Sequence, residues 1–434
     1  MLYILHWGKS CSDLQLEGGK IAMRTVKIGA ILLCIAALLI CPCVQAMTRD
    51  QLRARYAAVS FPDQSPYLEV PDTTSFDPIG RLTPEAEAAA IEYLNFIRAV
   101  AGLDGATAFD LYTLRAQNAS LLLAANDAIT HDPPRAPGMS DGLYESAHLG
   151  AGECNLVKFN WDRPQILTDA ISYFVRDDGD SNLSTLSHRR WLLNPYMAET
   201  GFGLAKSASG MSYAAMYAVD MGNADAAWTY IAWPCGGAFP VELMRRDLAW
   251  SISLNESIYD LSASDIRITL TGSSAGDAFY FEPQRETGDG FCTISPAICG
   301  SGACVIFRPD HASDFEYQQN QTFRVSITGL KRTDGTDTSI EYTCEMASLF
   351  AQDVVNIEIS DLEAQLRAGE ALQLSAAVIP AYADDLTLQW SSANPEIATV
   401  DANGYVTAHR AGECDIIASG ANGKFDLCRL TVIE

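Results

Sequence analysis

Residues 390–401 read WSSANPEIATVD, and this stretch decides how the C-terminal part of the chain folds. Trp390 is a large apolar residue that we predict to fill a core. Two Asn-Gly pairs follow, at 403–404 and 422–423, and such pairs suit hairpin turns that need a positive φ. Apolar and polar residues alternate around these turns, which is typical of strands with one buried face. The pattern predicts an all-β domain over 354–434.

The region before this domain has a similar texture. Residues 250–254 (WSISL), 266–270 (IRITL) and 323–327 (FRVSI) each alternate apolar and polar side chains. Short strands separated by turn residues are typical of a sandwich. We therefore predict a second Ig-like β-sandwich over 241–350, and we assign no activity to it.

The region over 81–240 differs because it is rich in helical patterns. Thr83 is a suitable N-cap, and apolar residues recur at helical spacing after it. Residues 111–128 and 166–176 predict two further helices, and short strand-like stretches follow Gly201. The predicted fold of this region is an α+β sandwich.

The first 46 residues have the features of an export signal. An apolar run at 28–40 follows two basic residues, and Val-Gln-Ala at 44–46 offers small residues to a signal peptidase. The run is shorter than the roughly 20 residues that span a bilayer. We predict a signal peptide over 1–46, in which 1–22 is a doubtful extension, and a proline-rich lead-in over 47–80. An uncleaved anchor is the alternative.

The charge balance excludes some partners. The chain has 434 residues with 54 acidic and 29 basic side chains, a net charge of -25. Such a chain lacks the cationic surface that nucleic acids and anionic lipids need. We expect no nucleic-acid partner.

Eight cysteines follow the predicted signal, and an exported chain permits disulfides. The predicted pairings are one bridge among Cys292, Cys299 and Cys304, one between Cys414 and Cys428, and one between Cys154 and Cys235. Free buried thiols are the alternative.

Two family resemblances follow from these residues. The C-terminal segment resembles the bacterial Ig-like domain of group 2, through LQLSA at 372–376, the stretch at 390–401 and GYVTA at 404–408. Such domains occur in surface adhesins and secreted multidomain proteins, where they often act as spacers.

The region over 81–240 resembles the CAP superfamily, which comprises the cysteine-rich secretory, antigen 5 and pathogenesis-related 1 proteins. The resemblance rests on LNFIR at 94–98, GECN at 152–155, SHRRWLLNP at 187–195 and GFG at 201–203. It implies a CAP-like α-β-α sandwich, so the whole chain is expected to be multidomain, with two all-β Ig-like sandwiches after the CAP-like domain.

The CAP family has a cleft with two histidines and two acidic residues. The resemblance assigns the histidines to His131 and His188 and the first acid to Glu153. The second acid is expected on the helix before His188, where this chain has Asp177, a side chain one methylene shorter than glutamate. Asp178 is the alternative at that position.

The residue types in this cleft also suit a metal. Two imidazoles beside a carboxylate are a sound donor set for a first-row ion, with Zn²⁺ as the default. His131 and His188 would be the ligands, and Glu153 would orient a ring or activate a water. The alternative is that both histidines are hydrogen-bonded structural groups.

The sequence assigns no catalytic residue and leaves open whether the protein is an enzyme. It contains no G-x-S-x-G, P-loop or H-E-x-x-H motif. Three hypotheses remain. In the first, a secreted or envelope-associated protein binds a small, lipid-like or cell-wall ligand in the cleft, and its Ig-like domains act as spacers towards a host or envelope surface. In the second it is a metal-dependent hydrolase, and in the third a structural surface protein with a vestigial cleft.

Overall fold

A computed structural model describes residues 46–179, 181–273, 278–283, 288–297 and 300–434. Residues 1–45 of the predicted signal peptide therefore lie outside the described residues. The described chain is multidomain and mostly β, with six α-helices. The helices are α1 (Arg49–Ala57), α2 (Pro84–Val100), α3 (Asp110–Asn126), α4 (Asp141–Glu153), α5 (Ile166–Arg176) and α6 (Ser187–Leu192).

The first region is built on a three-stranded antiparallel sheet of order β4-β7-β6. Its strands are β1 (Tyr67–Glu69), β2 (Arg81–Leu82), β3 (Thr107–Ala108), β4 (Cys154–Phe159), β5 (Glu199–Thr200), β6 (Phe202–Lys206) and β7 (Ser212–Tyr217). Side chains of β4 alternate between two apolar clusters. Leu156 packs with residues of α3 on one face, and Val157 packs with residues of α2 and α5 on the other. Helices therefore cover both faces of the sheet.

The close approach of α3 to β6 explains two glycines. A Cβ at Gly201 would lie 2.1 Å from the backbone nitrogen of Thr113, and one at Gly203 would lie 2.2 Å from the carbonyl carbon of Ala116. Real Cβ atoms do not approach backbone atoms so closely, because van der Waals contact begins near 3.5 Å. The two glycines are thus required by packing.

A buried arginine joins α2 to the loops beside it. The side chain of Arg98 donates hydrogen bonds to the carbonyls of Asp104, Leu192, Asn194 and Met197 at 2.8–3.2 Å. Burial lowers the pKa of Arg98 to about 10, so the guanidinium remains protonated at neutral pH. This one side chain satisfies four carbonyls from two segments, one at Asp104 and one over 192–197.

The middle region is a sandwich of two sheets, of orders β13-β14-β10-β8 and β12-β11-β15-β16-β9. Its strands are β8 (Tyr230–Trp233), β9 (Gly237–Pro240), β10 (Trp250–Leu254), β11 (Arg267–Gly272), β12 (Ala278–Phe281), β13 (Gly290–Ser295), β14 (Ala303–Pro309), β15 (Thr322–Lys331) and β16 (Asp337–Ala347). The sequence placed residues 230–240 in the first region, but here they supply an edge strand to each sheet. The apolar core of the sandwich is continuous with the α2–α5 side of the first region.

The C-terminal region has sheets of order β18-β25-β24-β21 and β19-β23-β22, and β17 pairs with β20. Its strands are β17 (Asn356–Ile359), β18 (Glu363–Arg367), β19 (Ala371–Gln373), β20 (Ala376–Ile379), β21 (Leu388–Ser392), β22 (Ala398–Val400), β23 (Tyr405–Ala408), β24 (Gly412–Gly420) and β25 (Phe425–Ile433). Trp390 packs against the core in a partly buried position. Gly404 and Gly423 both have a φ of +80°, as their Asn-Gly turns predicted.

The lead-in contains a helix that sequence analysis did not predict. Thr48 and Gln51 form a capping box at the start of α1. Arg53 on this helix makes two hydrogen bonds of 2.8 Å to the carboxylate of Asp384 and also bonds the carbonyls of Ser348 and Phe350. The helix α1 therefore holds the segment that joins the sandwich to the C-terminal domain.

Candidate functional site

His188 stands near the start of α6, with a carboxylate behind it. Asp177 ends α5 in a left-handed conformation (φ 50°), and its Oδ1 lies 2.9 Å from Nδ1 of His188. The amide nitrogen of Asn182 lies 3.0 Å from both of these atoms. The Asp177 carboxylate only accepts hydrogen bonds, which favours the tautomer with the proton on Nδ1. Asn182 then donates to Asp177 rather than to the ring, and Nε2 of the neutral ring keeps its lone pair.

His131 lies in the loop after α3 and is oriented in the same way. Its Nδ1 lies 2.7 Å from the carbonyl oxygen of Ala151, near the end of α4. A carbonyl can only accept a hydrogen bond, so Nδ1 carries the proton. In the neutral ring, Nε2 then keeps its lone pair. The structural hydrogen bond considered for His131 is therefore present, and it leaves one ring nitrogen available.

Glu153 is the last residue of α4 and is paired with a cation. Its Oε2 lies 2.7 Å from Nη1 of Arg115, and each of these side chains is 24% exposed. The guanidinium of Arg115 also lies 5.9 Å from the ring centroid of Tyr217, a cation–π distance. Burial, and next the charge of Glu153, raise the pKa of Tyr217. Arg115 thus fixes the position of the Glu153 side chain.

These groups meet at one cavity of about 230 Å³. The residues that line it are His131, Gly152, Glu153, Cys154, Asn155, Ser187, His188, Trp191, Ala218 and Val219. Three of the four predicted cleft residues therefore share one cavity, although they are far apart in sequence. The fourth, Asp177, is not in the lining, because its side chain is only 1% exposed and lies behind His188. Asp178 pairs instead with Arg245 at 2.9 Å.

Sequence reasoning missed several members of the site. Asn155, Ser187 and Trp191 belong to the quoted motifs, but the sequence assigned no role to them. The amide of Asn155 donates to the carbonyl of His188 at 2.9 Å, which ties β4 to α6. Arg115 carried one signal, because it is the one basic residue in the helix predicted over 111–128.

The described cysteines are free thiols, so the predicted bridges are absent among them. Cys154 and Cys235 belong to separate apolar clusters. Cys414 and Cys428 lie on adjacent strands but diagonally, since Ile416 is the residue opposite Cys428. Diagonal neighbours are about 7–8 Å apart, more than most disulfides span. Cys299 lies outside the described residues.

The thiol of Cys154 does not serve as a nucleophile in this arrangement. It packs in the cluster formed with α3, on the opposite face of β4 from the residues that contact α5. Burial raises the pKa of this thiol, which disfavours the reactive thiolate.

The cavity offers few donor groups to a zinc ion. Zinc sites use three or four protein ligands. In the part of the chain that the structure describes, no group of three or more His, Cys, Asp and Glu side chains is arranged to hold a metal. Glu153 is paired with Arg115, and Asp177 is bonded to Nδ1 of His188. The residues present do not fit a resident Zn²⁺, and the zinc prediction gains no support here.

Two curated relatives match short parts of the chain. A 3-O-alpha-D-galactosyl-alpha-L-arabinofuranosidase of Bifidobacterium longum subsp. longum is 42% identical over 60 residues, which is 14% of this chain and 5% of that protein. An uncharacterized protein of Bacillus cereus is 31% identical over 83 residues, 18% of this chain and 63% of that protein. The chain thus spans less than two thirds of either relative.

Two solved structures match parts of the chain with low TM-scores. Domains 4 and 5 of the S-layer protein SbsC match with 14% identity and a TM-score of 0.19, covering 37% of this chain and 88% of that one. Chicken VE-cadherin EC1-2 matches with 13% identity and a TM-score of 0.20, covering 43% and 92%.

No helix within the described ranges is both long and apolar enough to cross a membrane.

The C-terminal region matches a protein-family model. The match covers residues 353–427, and the family is the bacterial Ig-like domain (group 2). It agrees with the all-β arrangement of β17 to β25 and with the resemblance drawn from residues 390–401. Residues 353–427 are therefore a bacterial Ig-like domain of group 2.

Proposed function

We propose that this chain is an exported binding protein that holds a small polar ligand, or the polar end of a lipid or cell-wall fragment, in the cavity of His131, Glu153 and His188. The observation that carries the proposal is the orientation of the two rings. Both Nδ1 atoms are bonded to the protein, so both Nε2 atoms are available in a shared cavity.

The chemistry of the lining narrows the ligand. Two bare ring nitrogens and a carboxylate are hydrogen-bond acceptors, so they favour a ligand that donates from hydroxyl or amine groups. The cavity of about 230 Å³ lies below the roughly 300–1,000 Å³ of drug-sized sites. A ligand of one or two small polar groups, or one end of a larger molecule, is the best match.

The CAP resemblance supports this proposal. Helices on both faces of the β4-β7-β6 sheet suit the α-β-α arrangement of that superfamily, and the cavity contains three of the four cleft residues that the resemblance assigned. In this proposal Asp177 takes the part of the second acidic residue by orienting His188 from behind.

The β domains and the N-terminal residues support an extracellular or cell-surface location for the protein. The Ig-like domain over 353–427 is of a type found in secreted and surface proteins, and residues 1–46 have the pattern of an export signal. We infer an extracellular or cell-surface protein in which the sandwich and the Ig-like domain act as spacers. We expect these spacers to face a host or envelope surface as the partner.

Calorimetric titration tests the binding function. The panel consists of muropeptides, neutral and amino sugars, and lysolipids. We expect at least one class to bind saturably, and His131→Ala and His188→Ala to weaken that binding at least about tenfold. His148→Ala is the matched control, because His148 lies on α4 beside Asp132 and outside the cavity lining. A panel with no saturable ligand would favour the vestigial-cleft hypothesis, and equal effects of all three variants would place the ligand elsewhere.

Hydrolysis in the same cavity is the second candidate. The bond between Asp177 and His188 favours it, because an oriented ring with a bare Nε2 is what a general base needs. Turnover of the same panel, followed by mass spectrometry with and without EDTA, checks this candidate. Turnover that resists EDTA and is lost in His188→Ala would establish a metal-independent hydrolase, whereas sensitivity to EDTA would restore the metal-dependent one.

A further inference from the structure

Helix α6 points its first residues in two directions. His188 contributes to the cavity, whereas the next side chain, Arg189, is only 1% exposed. The buried guanidinium forms four hydrogen bonds, and they reach two different domains.

Two of these bonds hold the end of α5. Nε of Arg189 donates to the carbonyl of Val175 and Nη2 donates to the carbonyl of Arg176, both at 2.7 Å. These are the two residues immediately before Asp177, which adopts the left-handed conformation. In addition, the backbone N–H of Arg189 donates to Oδ2 of Asp177 at 3.2 Å. Arg189 therefore fixes the backbone that presents the carboxylate to His188.

The other two bonds reach into the middle sandwich. Nη1 of Arg189 donates to the carbonyl of Ala249 at 2.7 Å and contacts the hydroxyl of Ser251 at 3.1 Å. Ser251 belongs to β10, which pairs with β8 and β14 on its two sides. The sandwich is thus the rigid base for the segment that carries Asp177.

We propose that Arg189 is a positioning residue, which sets the proton on Nδ1 of His188 by holding Asp177 against the ring, and that the sandwich is consequently a structural part of the cavity. This inference rests on the proposed function for its biological meaning. Its physical content, the state of one imidazole, does not depend on any ligand.

The neighbouring arginine provides a matched control. Arg190 is equally buried and also bonds the sandwich, through Ser295, Pro296 and Gly302 at 2.7–2.8 Å. Within the first region its side chain bonds the carbonyl of Thr185 at 3.2 Å, and it makes no hydrogen bond to Asp177 or to the carbonyls of Val175 and Arg176. A purely structural effect of losing a buried arginine should therefore be shared by Arg190, whereas the positioning effect should not.

The test is ¹⁵N NMR of the histidine rings in the full chain, at a pH where the rings are neutral. In the parent protein we expect His131 and His188 to be in the Nδ1–H tautomer. In Arg189→Met we expect the ratio of Nδ1–H to Nε2–H at His188 to fall about tenfold, as for loss of one charge-assisted hydrogen bond. The tautomer of His131 should not change, and Arg190→Met should leave both rings unchanged.

Arg189→Lys is the second variant, in case the methionine variant does not fold. A lysine keeps the charge but cannot donate to the carbonyls of Val175, Arg176 and Ala249 at the same time. We therefore expect the same fall in the Nδ1–H tautomer of His188. Retention of the Nδ1–H tautomer at His188 in either folded variant would overturn the inference, as would an equal change in Arg190→Met. If no panel compound binds while the tautomer shifts as described, the proposed function fails and the positioning role of Arg189 stands.

Discussion

The Ig-like domain and the cavity-bearing region are stabilised in different ways. In the Ig-like region over 354–434, which the structure describes completely, the buried side chains are all apolar. In the cavity-bearing region, three arginines and two aspartates are buried: Arg98, Asp177, Arg189, Arg190 and Asp220. The first region depends on an apolar pattern that is visible in the sequence, and the second on polar groups that bond carbonyls of distant segments. Burying such groups is favourable only when each is satisfied, so the cavity region tolerates less change.

Replacement of a buried arginine should give the largest difference in stability between the two regions. Arg98→Met leaves four carbonyls without their donor, and we expect a loss of roughly 3–5 kcal/mol in the free energy of unfolding. Arg429→Met in the Ig-like domain is the control, because its side chain is 65% exposed and its contact to Asp415 spans 3.6 Å. It should change stability by no more than about 0.5 kcal/mol. Denaturant unfolding measures both, and equal effects would contradict the comparison.

Two glycines of the Ig-like domain should differ in how well they tolerate a side chain. Gly404 and Gly423 have the same φ, but a Cβ at Gly404 would lie 2.5 Å from the carbonyl oxygen of Leu374 and 2.9 Å from the ring of Trp390, whereas space around Gly423 is open. We expect Gly404→Ala to cost about 2–4 kcal/mol, because it adds a clash to backbone strain, and Gly423→Ala about 1 kcal/mol. Thermal unfolding of the two variants checks this order. A Gly423 variant that is as unstable as the Gly404 variant would show that packing on Trp390 matters little.

The junction between the two parts should give a smaller effect. Arg53→Met removes the paired hydrogen bonds to Asp384, and we expect a loss of about 1–2 kcal/mol with faster proteolysis near residues 348–355. Arg410→Met removes a more exposed pair with Glu396 and should leave both readouts unchanged. Unaltered proteolysis in the Arg53 variant would mean that α1 does not hold this segment.

The smallest effect concerns acid and the middle sandwich. His311 stacks on Phe315 at 3.7 Å, bonds the hydroxyl of Tyr317 at 3.1 Å and follows Asp310. Burial lowers the pKa of His311 from 6.5 to about 4, so the unfolded chain binds the proton first. Stability from this residue is present above about pH 6.5 and declines as the pH falls towards 4. His311→Phe should therefore lose about 1–2 °C less in Tm than the parent between pH 7 and 5. An identical pH dependence in parent and variant would contradict this assignment.

The sequence predicted the regular parts of the molecule well. Alternation and Asn-Gly pairs predicted the strands and turns around Trp390, and the three residues His131, Glu153 and His188, which the motif resemblance grouped, line one cavity. It could not show that residues 230–240 join the sandwich, because the strand pattern carries no information about which sheet a strand enters. It also gave no indication of the role of Arg189. The four hydrogen bonds of its side chain are made to three backbone carbonyls and one hydroxyl, and a carbonyl leaves no mark in the sequence.

The most direct test of the central claim is histidine NMR during a ligand titration. The full chain, labelled at histidine, is titrated with the panel compound that binds most tightly. We expect the ring signals of His131 and His188 to shift together with one binding curve, while the signals of His148, His311 and His409 do not shift. Movement of His148 with the other two, or of only one cavity histidine, would contradict a shared ligand site.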